Sequence, residues 1–525
     1  MNINSRRGTT KQSTAASARH LLHLDRFIQL FILFTSTIIV IGYYYFIFSS
    51  STVLQQNNHK IGSSDYLLSS SNNIRGGRGD TSAANNNGDE QQRQIITNNN
   101  NNNAKATIGY AITVSGCPKN NGSRGDFGAG ILDGAAVLKH SIHLNSIRNN
   151  NPKNHPSSSS SSQYDYQMYA LVHPSAKSCA TSQLQPLGYQ ILIRDVPVPL
   201  NEIQGDYLRT KVPNNGCCGD KEFVKLHAYT LIEHPVVVHL DLDTLVLQPM
   251  DDLYDAMIDG VVDKSKSNNN GKKNGGIDVA FNDPIDTTQP INAFFTRDYN
   301  MAHRGMKHAG VQGGFLVLRP SMEVYKEFQE IIRKGDFRQN GGWGGMGFGP
   351  FYGSMTFQGI IPYFYDHLHP GTGVELDPCV YNNMAHNPRD KPTKNDIVSG
   401  NCRNGYNRPD MNDECEDCRS RPIEEIFTTH FTLCQKPWEC HPQDGDRIQE
   451  RLCRKFHGEW FRVREDLETS IWKRDAVDLD NAEEIAKVRG GEFQPQQFRG
   501  YCKGHGANSY IPITLPDNDE LAKAN

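Results

Sequence analysis

Neither sign of charge is in excess in this sequence: 54 lysines and arginines stand against 58 aspartates and glutamates, a formal net charge of −4. Proteins that hold nucleic acid by neutralising phosphates are basic, so no nucleic-acid partner is expected. No repeat of 20–50 residues recurs, which excludes solenoids and propellers. Hydrophobic residues make up only 37% of 525, and runs of Asn and Ser account for much of the shortfall. The folded part is therefore shorter than the chain, yet far too long for a small scaffold held by disulfides alone. Cysteine is missing from the first 116 residues, and all 12 cysteines follow the one long apolar run.

That run, residues 27–48, FIQLFILFTSTIIVIGYYYFIF, holds 22 residues without a charged side chain. At about 1.5 Å per residue it matches a hydrocarbon core of about 30 Å. Arg6, Arg7, Lys11, Arg19 and Arg26 precede it; positive charge stays cytosolic. The expected arrangement is a cytosolic tail (1–26), a transmembrane anchor (27–48) and a lumenal remainder. A cleaved signal peptide is the alternative, but its apolar core is usually shorter, about 7–15 residues, and a small-residue cleavage site is missing. In an oxidising lumen disulfides are the default for the cysteines. Cys415 and Cys418, with Cys434 and Cys440, also have the look of a zinc site.

Residues 49–104 are rich in Ser, Asn, Gln and Gly and end in the Asn run 98–103, a composition that cannot bury enough apolar surface to offset chain entropy. They read as a stem. Two polar stretches, 149–162 and 264–276, interrupt patterned sequence and read as surface inserts within one domain, 105–440. Asn121-Gly122-Ser123 is a glycosylation sequon.

From residue 104 the pattern alternates strand and helix: apolar strands near 104–112, 166–174 and 188–196, and a helix over 129–144. This predicts an α/β fold with a mainly parallel sheet and helices on both faces. Residues 223–232 have helical spacing, 235–240 form a β-branched run suited to a buried strand, and further strands are expected at 277–281 and 314–318, with a helix at 322–332. The run at 235–240 stops at Asp241-Leu242-Asp243. Ligands of open α/β sheets lie beyond the carboxyl ends of the strands, where these carboxylates fall. They can converge on a hard cation, Mn2+ or Mg2+, if the backbone leaves the extended strand there. The bland alternative is two aspartates that solvate a turn.

Residues 236–255, VVVHLDLDTLVLQPMDDLYD, resemble the metal-binding segment of family 8 glycosyltransferases, the glycogenin-like enzymes. Four further segments resemble that family in the same order: Phe223-Val224-Lys225-Leu226; Val311-Gln312-Gly313-Gly314 and the strand after it; Met355-Thr356-Phe357-Gln358-Gly359; and His430-Phe431-Thr432-Leu433-Cys434-Gln435-Lys436-Pro437-Trp438. The resemblance implies a GT-A, Rossmann-like fold and transfer of a sugar, with retention, from a nucleotide diphosphate sugar such as a UDP-sugar to a glycan or protein acceptor. It makes Asp241, Asp243 and His430 the metal ligands and Lys225 and Lys436 the diphosphate-side lysines. Thr113, Leu242, Gln312, Gly313, Gly314, Gln358 and Gly359 become contacts to the donor, with Lys225 and Gln358 the candidates for a catalytic role. The membrane topology then implies the Golgi, single-pass type II, and the family also suggests a homodimer.

Three positions depart from the family pattern: Gln312 replaces its Asn, Leu433 its glycine, and Phe357 the Asp of its Asp-Gln-Gly segment. The last removes a carboxylate that usually meets the donor sugar. A binding or scaffold protein without turnover, or a self-glycosylating enzyme, therefore stand as alternatives. The glycine-rich residues 341–350 cannot form a regular helix or strand, and read either as a loop over the sugar pocket or as a structural turn burying Trp343. No Gly-Lys-Ser/Thr follows, which excludes a phosphate-binding P-loop. Residues 441–525 form an extension, with Ile448, Leu452, Phe456 and Trp460 on one helical face and Cys440, Cys453 and Cys502 placed to fasten it.

Overall fold

The computed structural model describes residues 104–117, 127–149, 162–260, 289–301, 308–387, 417–472, 487, 490, 491 and 493–516. The tail, the apolar run at 27–48, the stem up to 103, the interiors of both inserts, the sequon and the strand expected at 277–281 lie outside them. Among the described residues no helix is long and apolar enough to cross a membrane.

In chain order the strands are β1 (Thr107–Val114), β2 (Asp165–Val172), β3 (Gln190–Ile193), β4 (Val237–Leu240), β5 (Thr244–Val246), β6 (Ala293–Arg297), β7 (Val311–Leu318), β8 (Phe337–Arg338), β9 (Gly342–Trp343), β10 (Gly373–Glu375) and β11 (Thr428–His430). Seven build the central sheet in the order β10-β6-β7-β4-β1-β2-β3, while β5 with β11 and β8 with β9 form small ribbons. Within the large sheet only β7 runs against the others: it is antiparallel to both β4 and β6, and the remaining pairs are parallel.

The helices are α1 (Phe127–Leu144), α2 (Lys177–Leu184), α3 (Asp206–Lys211), α4 (Asp251–Asp259), α5 (Met322–Lys334), α6 (Phe357–Pro362), α7 (Ile448–Asp466) and α8 (Pro495–Phe498). Strand alternation sends Ile108, Tyr110, Ile112, Val238 and Leu240 into a core shared with α1 and α7. Ala111, Val237, Leu316 and Leu318 go into a second core beneath α5 and α6. Both faces are thus covered, as a mostly parallel sheet requires. The caps of α5 are legible in the sequence: Ser321 accepts from Val324 N at 3.3 Å at its start, and Gly335, at φ 63°, ends it.

The helix expected over 223–232 is instead a 3-10 segment, Gly219–Thr230, with Phe223, Val224, Leu226, Ala228 and Tyr229 buried. It is packed against β1, β2 and β4 on one side and α5 and α6 on the other. Burial on nearly every side leaves no solvent stripe to favour the 3.6-residue period. In the extension, Leu452, Phe456 and Trp460 are buried as the spacing predicts, whereas Ile448, at the first position of α7, is exposed; α7 lies against α1. Cys434–Cys453 and Cys440–Cys502 bond it to the main domain; Cys379–Cys418 and Cys117–Cys179 are also bonded. These pairings place Cys418, Cys434 and Cys440 in three different disulfides, which removes the zinc alternative.

Candidate metal centre

The chain runs β1, β2, β3 outward on one side and then returns to place β4 on the other side of β1. The crevice at the carboxyl ends of β1 and β4 is the switch point where such sheets bind ligands. At the end of β4, Asp241 N makes a last sheet bond to Gly314 O at 3.1 Å, and Thr244 N turns back to Asp241 O at 3.1 Å. This tight turn leaves the extended strand, so Asp241 and Asp243, which share a face as i and i+2, are drawn closer together than strand spacing would hold them. β5 then pairs antiparallel with β11, setting His430 opposite Thr244, and Phe431 N donates to Asp243 O at 2.9 Å. One ligand atom from each of Asp241, Asp243 and His430 lies within 4.8 Å of the others.

His430 is buried, with Nε2 3.3 Å from Asp243 Oδ1, and its Nδ1 has no hydrogen-bond partner. Gly314 makes that position possible. A Cβ there would stand 2.4 Å from His430 Cε1, 2.9 Å from its Nδ1 and 3.0 Å from Asp241 Oδ2.

Two ammonium groups flank the carboxylates. Lys225 donates to Asp241 Oδ1 and to Gly313 O, both at 3.0 Å, and lies 3.3 Å from Glu222 Oε2. Lys436 pairs with Asp243 Oδ2 and donates to Phe431 O at 2.9 Å. Burial acts to raise the Asp243 carboxyl, but His430 and Lys436 outweigh it and hold it well below the usual carboxylate range. Burial acts in the opposite sense on Lys225, and there Asp241 and Glu222 keep the ammonium charged.

Thr113, at the end of β1, reaches the centre indirectly: its hydroxyl lies 2.8 Å from His239 Nε2. Burial and Lys225 push the His239 imidazole down to about 3, so it is neutral. Phe357, which stands where the resembled motif has Asp, is buried, its ring 6.0 Å from that of His239 and 5.7 Å from Lys225 Nζ. The substitution thus turns an aromatic face to the Lys225 ammonium. Gln358 Nε2 donates to Val311 O at 3.2 Å, and its Cγ would touch a Cβ on Gly313 at 3.3 Å, so Lys225, Gly313 and Gln358 form one cluster. Leu242 is half-buried in the turn between the two aspartates.

Gln312 and Gly359 are used inside the fold. Gln312 Oε1 accepts from Gly314 N at 2.6 Å and from Asn382 Nδ2 at 3.3 Å, and Gly359 backs onto Ser354 O, where a Cβ would stand 1.9 Å away. Trp343 is buried and donates to Ser354 O at 2.8 Å, which favours the structural-turn reading of residues 341–350. Sequence reasoning missed Glu222, His239 and Asn382. Only Glu222 carried a local signal, its i, i+3 spacing to Lys225.

No protein-family model and no curated protein matches the chain. Among solved structures, the apo WbbM bifunctional glycosyltransferase aligns at 13% identity and a TM-score of 0.33, covering 71% of this chain and 52% of that one. The chain therefore spans about half of WbbM. Mouse xyloside xylosyltransferase 1, in its apo form, aligns at 12% identity and a TM-score of 0.31, covering 62% of this chain and 97% of that one. The galactosyltransferase LgtC, in complex with donor and acceptor sugar analogs, aligns at 12% and 0.33, covering 72% and 100%. Likeness this loose adds no weight to a functional reading, which rests on the chain's own residues.

Proposed function

We propose that the chain is a metal-dependent, retaining glycosyltransferase that moves a sugar from a UDP-sugar to a hydroxyl of a glycan or protein acceptor. The observation that carries this reading is the convergence of Asp241, Asp243 and His430 within 4.8 Å at the carboxyl ends of the strands, between Lys225 and Lys436. The donor set fits a hard to borderline cation such as Mn2+: two carboxylates and a buried imidazole whose Nδ1 is unpartnered. Asp241, Asp243 and His430 would hold that ion, whose chemistry there is to offset the charge that builds on a departing diphosphate.

The two lysines neutralise the two carboxylates directly. Once the carboxylates have a divalent partner, both ammonium groups are free to turn to phosphate oxygens as point charges on flexible stems. Gln358 is the amide beside Lys225 that can hydrogen-bond sugar hydroxyls, and Phe357 excludes water behind it. No residue is assigned as a covalent nucleophile; retention is ascribed to same-face attack assisted by the leaving phosphate. With residues 27–48 as a single-pass anchor, the domain would work in the Golgi lumen, a location that suits four disulfides among the described cysteines.

The test incubates the full chain with Mn2+ and a panel of UDP-sugars and reads released UDP, beside an Asp241→Asn/Asp243→Asn control. Release from one donor, lost in the control, is the expected result. Manganese-dependent UDP binding with no release from any donor, even with acceptors supplied, would favour the non-catalytic reading that Phe357 motivates. Loss of binding altogether would sink the metal assignment, and a gain in intact mass after incubation would mark self-glycosylation.

A further inference from the structure

Eight of the ten described cysteines are bonded in four disulfides; Cys217 and Cys218 are not. Their sulfurs nevertheless face each other at 2.7 Å, inside the contact distance of two unbonded thiols, and Cys217 is exposed. The pair sits in a turn between Gly216 (φ +65°) and Gly219 (φ +63°). At Gly219 a Cβ would stand 2.4 Å from Pro213 O, so the backbone there is shaped for this close turn.

The turn is wired to the metal centre. Cys218 caps the 3-10 segment Gly219–Thr230, in which residues three apart stand in line. Cys217 Sγ donates to Glu222 Oε1 at 2.9 Å; the other oxygen of Glu222 lies 3.3 Å from Lys225 Nζ; and Lys225 donates to Asp241 at 3.0 Å. Cys217 and then Ser115 pull the Cys218 thiol below its usual range, while the hydrogen bond to Cys218 and burial push Cys217 up. One sulfur of the pair is thus the ready nucleophile.

We propose that Cys217 and Cys218 are a reversible dithiol–disulfide site, and that closing the bond between these neighbours tightens the grip of Glu222 on Lys225 and so weakens binding of the nucleotide diphosphate. The second half rests on the function proposed above; the first does not. The oxidant is a low-molecular-weight disulfide of the glutathione class. The Cys218 thiolate attacks one of its sulfurs and expels a thiolate, and the Cys217 sulfur then attacks Cys218 Sγ and expels the second. Two cysteines lose two electrons and two protons, and one external disulfide becomes two thiols. Adjacent α-carbons are about 3.8 Å apart, below the about 4.4–6.8 Å usual for disulfides. Such a bond is readily reduced, as regulatory disulfides are. Oxidation takes the Cys217 S–H away from Glu222, whose carboxylate then has Lys225 as its principal partner.

The full chain is equilibrated in reduced and oxidised glutathione at a series of ratios, alkylated and mapped by mass. The expected result is a two-thiol loss at Cys217 and Cys218 that reverses with the ratio, while the other disulfides persist throughout. Amide exchange of residues 219–230 should slow in the oxidised form, and UDP affinity in Mn2+ should fall about fivefold or more. Cys217→Ser/Cys218→Ser should bind UDP like the reduced protein at every ratio. Thiols that stay alkylatable, pair with external thiols, or resist oxidation because they hold zinc with Glu222 overturn the proposal. Exchange and UDP affinity that ignore a disulfide shown by mass overturn its coupling to Lys225. Absence of UDP binding in both states would count against glycosyl transfer, with mass and exchange still deciding the switch.

Discussion

At Gly314 a single hydrogen atom in place of a methyl group decides whether Asp241 and His430, two of the proposed ligands, can stand where they do. β7 runs beneath His430 and Asp241 so closely that an added Cβ would fall 2.4 Å from the imidazole, a separation that forces the ring or the strand to move. Strand geometry itself tolerates alanine, so the damage in Gly314→Ala is local overpacking, costing about 1–3 kcal/mol, together with displacement of one ligand. Calorimetric titration should show Mn2+ affinity falling by an order of magnitude or more while the far-ultraviolet dichroism keeps its wild-type form. Unchanged affinity would mean that His430 is not a ligand. Gln312 acts on the same strand: its amide oxygen accepts from Gly314 N and from Asn382 Nδ2, so the side chain shapes the strand end on which Gly314 sits.

Among the elements, those that carry their own pattern were readable and those made by distant pairing were not. The β-branched run of β4 and its break at Asp241 are local facts, and so are the capped ends of α5. β11 has three residues, and it exists because Thr428–His430 lie against Thr244–Val246 far back in the chain; only the resemblance of residues 430–438 to a family motif pointed to His430. The apolar residues of the 3-10 segment have helical spacing, yet burial on nearly every side decides its conformation, and that packing is not written in the spacing. At the seam between α7 and the motif segment the apolar face was legible and the polar contacts were not. There His457 Nε2 donates to Gln435 O at 3.3 Å and Gln497 Nε2 donates to Nδ1 at 2.7 Å, which needs a neutral ring. Burial pushes the imidazole down to about 4 from an ordinary 6.5. Between those values the unfolded chain binds a proton that the folded chain refuses, so stability falls as pH drops through the window, by up to about 3 kcal/mol from this group. Urea unfolding at pH 7 and pH 4.5 should show a smaller difference for His457→Asn than for the wild type; equal slopes would remove His457 as a cause.

For the whole molecule the question is whether residues 441–525 are an appendage or part of the main domain's fold. α7 contributes Leu452, Phe456 and Trp460 to the same core as β1, β4 and α1, and the polar contacts repeat that answer. Arg464 of α7 is 1% exposed; it donates to Tyr510 Oη at 2.6 Å and to Ile511 O at 2.8 Å, and lies 3.3 Å from Glu468 and 3.8 Å from Asp133 of α1. Asp133 in turn accepts from Ile513 N at 2.8 Å. One buried guanidinium therefore joins the main domain, the extension helix and the C-terminal segment. Arg464→Met leaves Asp133 and Glu468 buried without their cation, which costs about 3–5 kcal/mol. Loss of the Cys440–Cys502 bond, with its separation of 62 residues, acts differently, by freeing the unfolded chain, and is worth up to about 4 kcal/mol. An appendage would melt first and leave metal binding behind in both variants. Shared packing predicts instead a single urea transition, shifted to lower denaturant, in which the Mn2+ binding proposed for Asp241, Asp243 and His430 is lost together with the α7 signal; two separated transitions would show that the extension folds on its own.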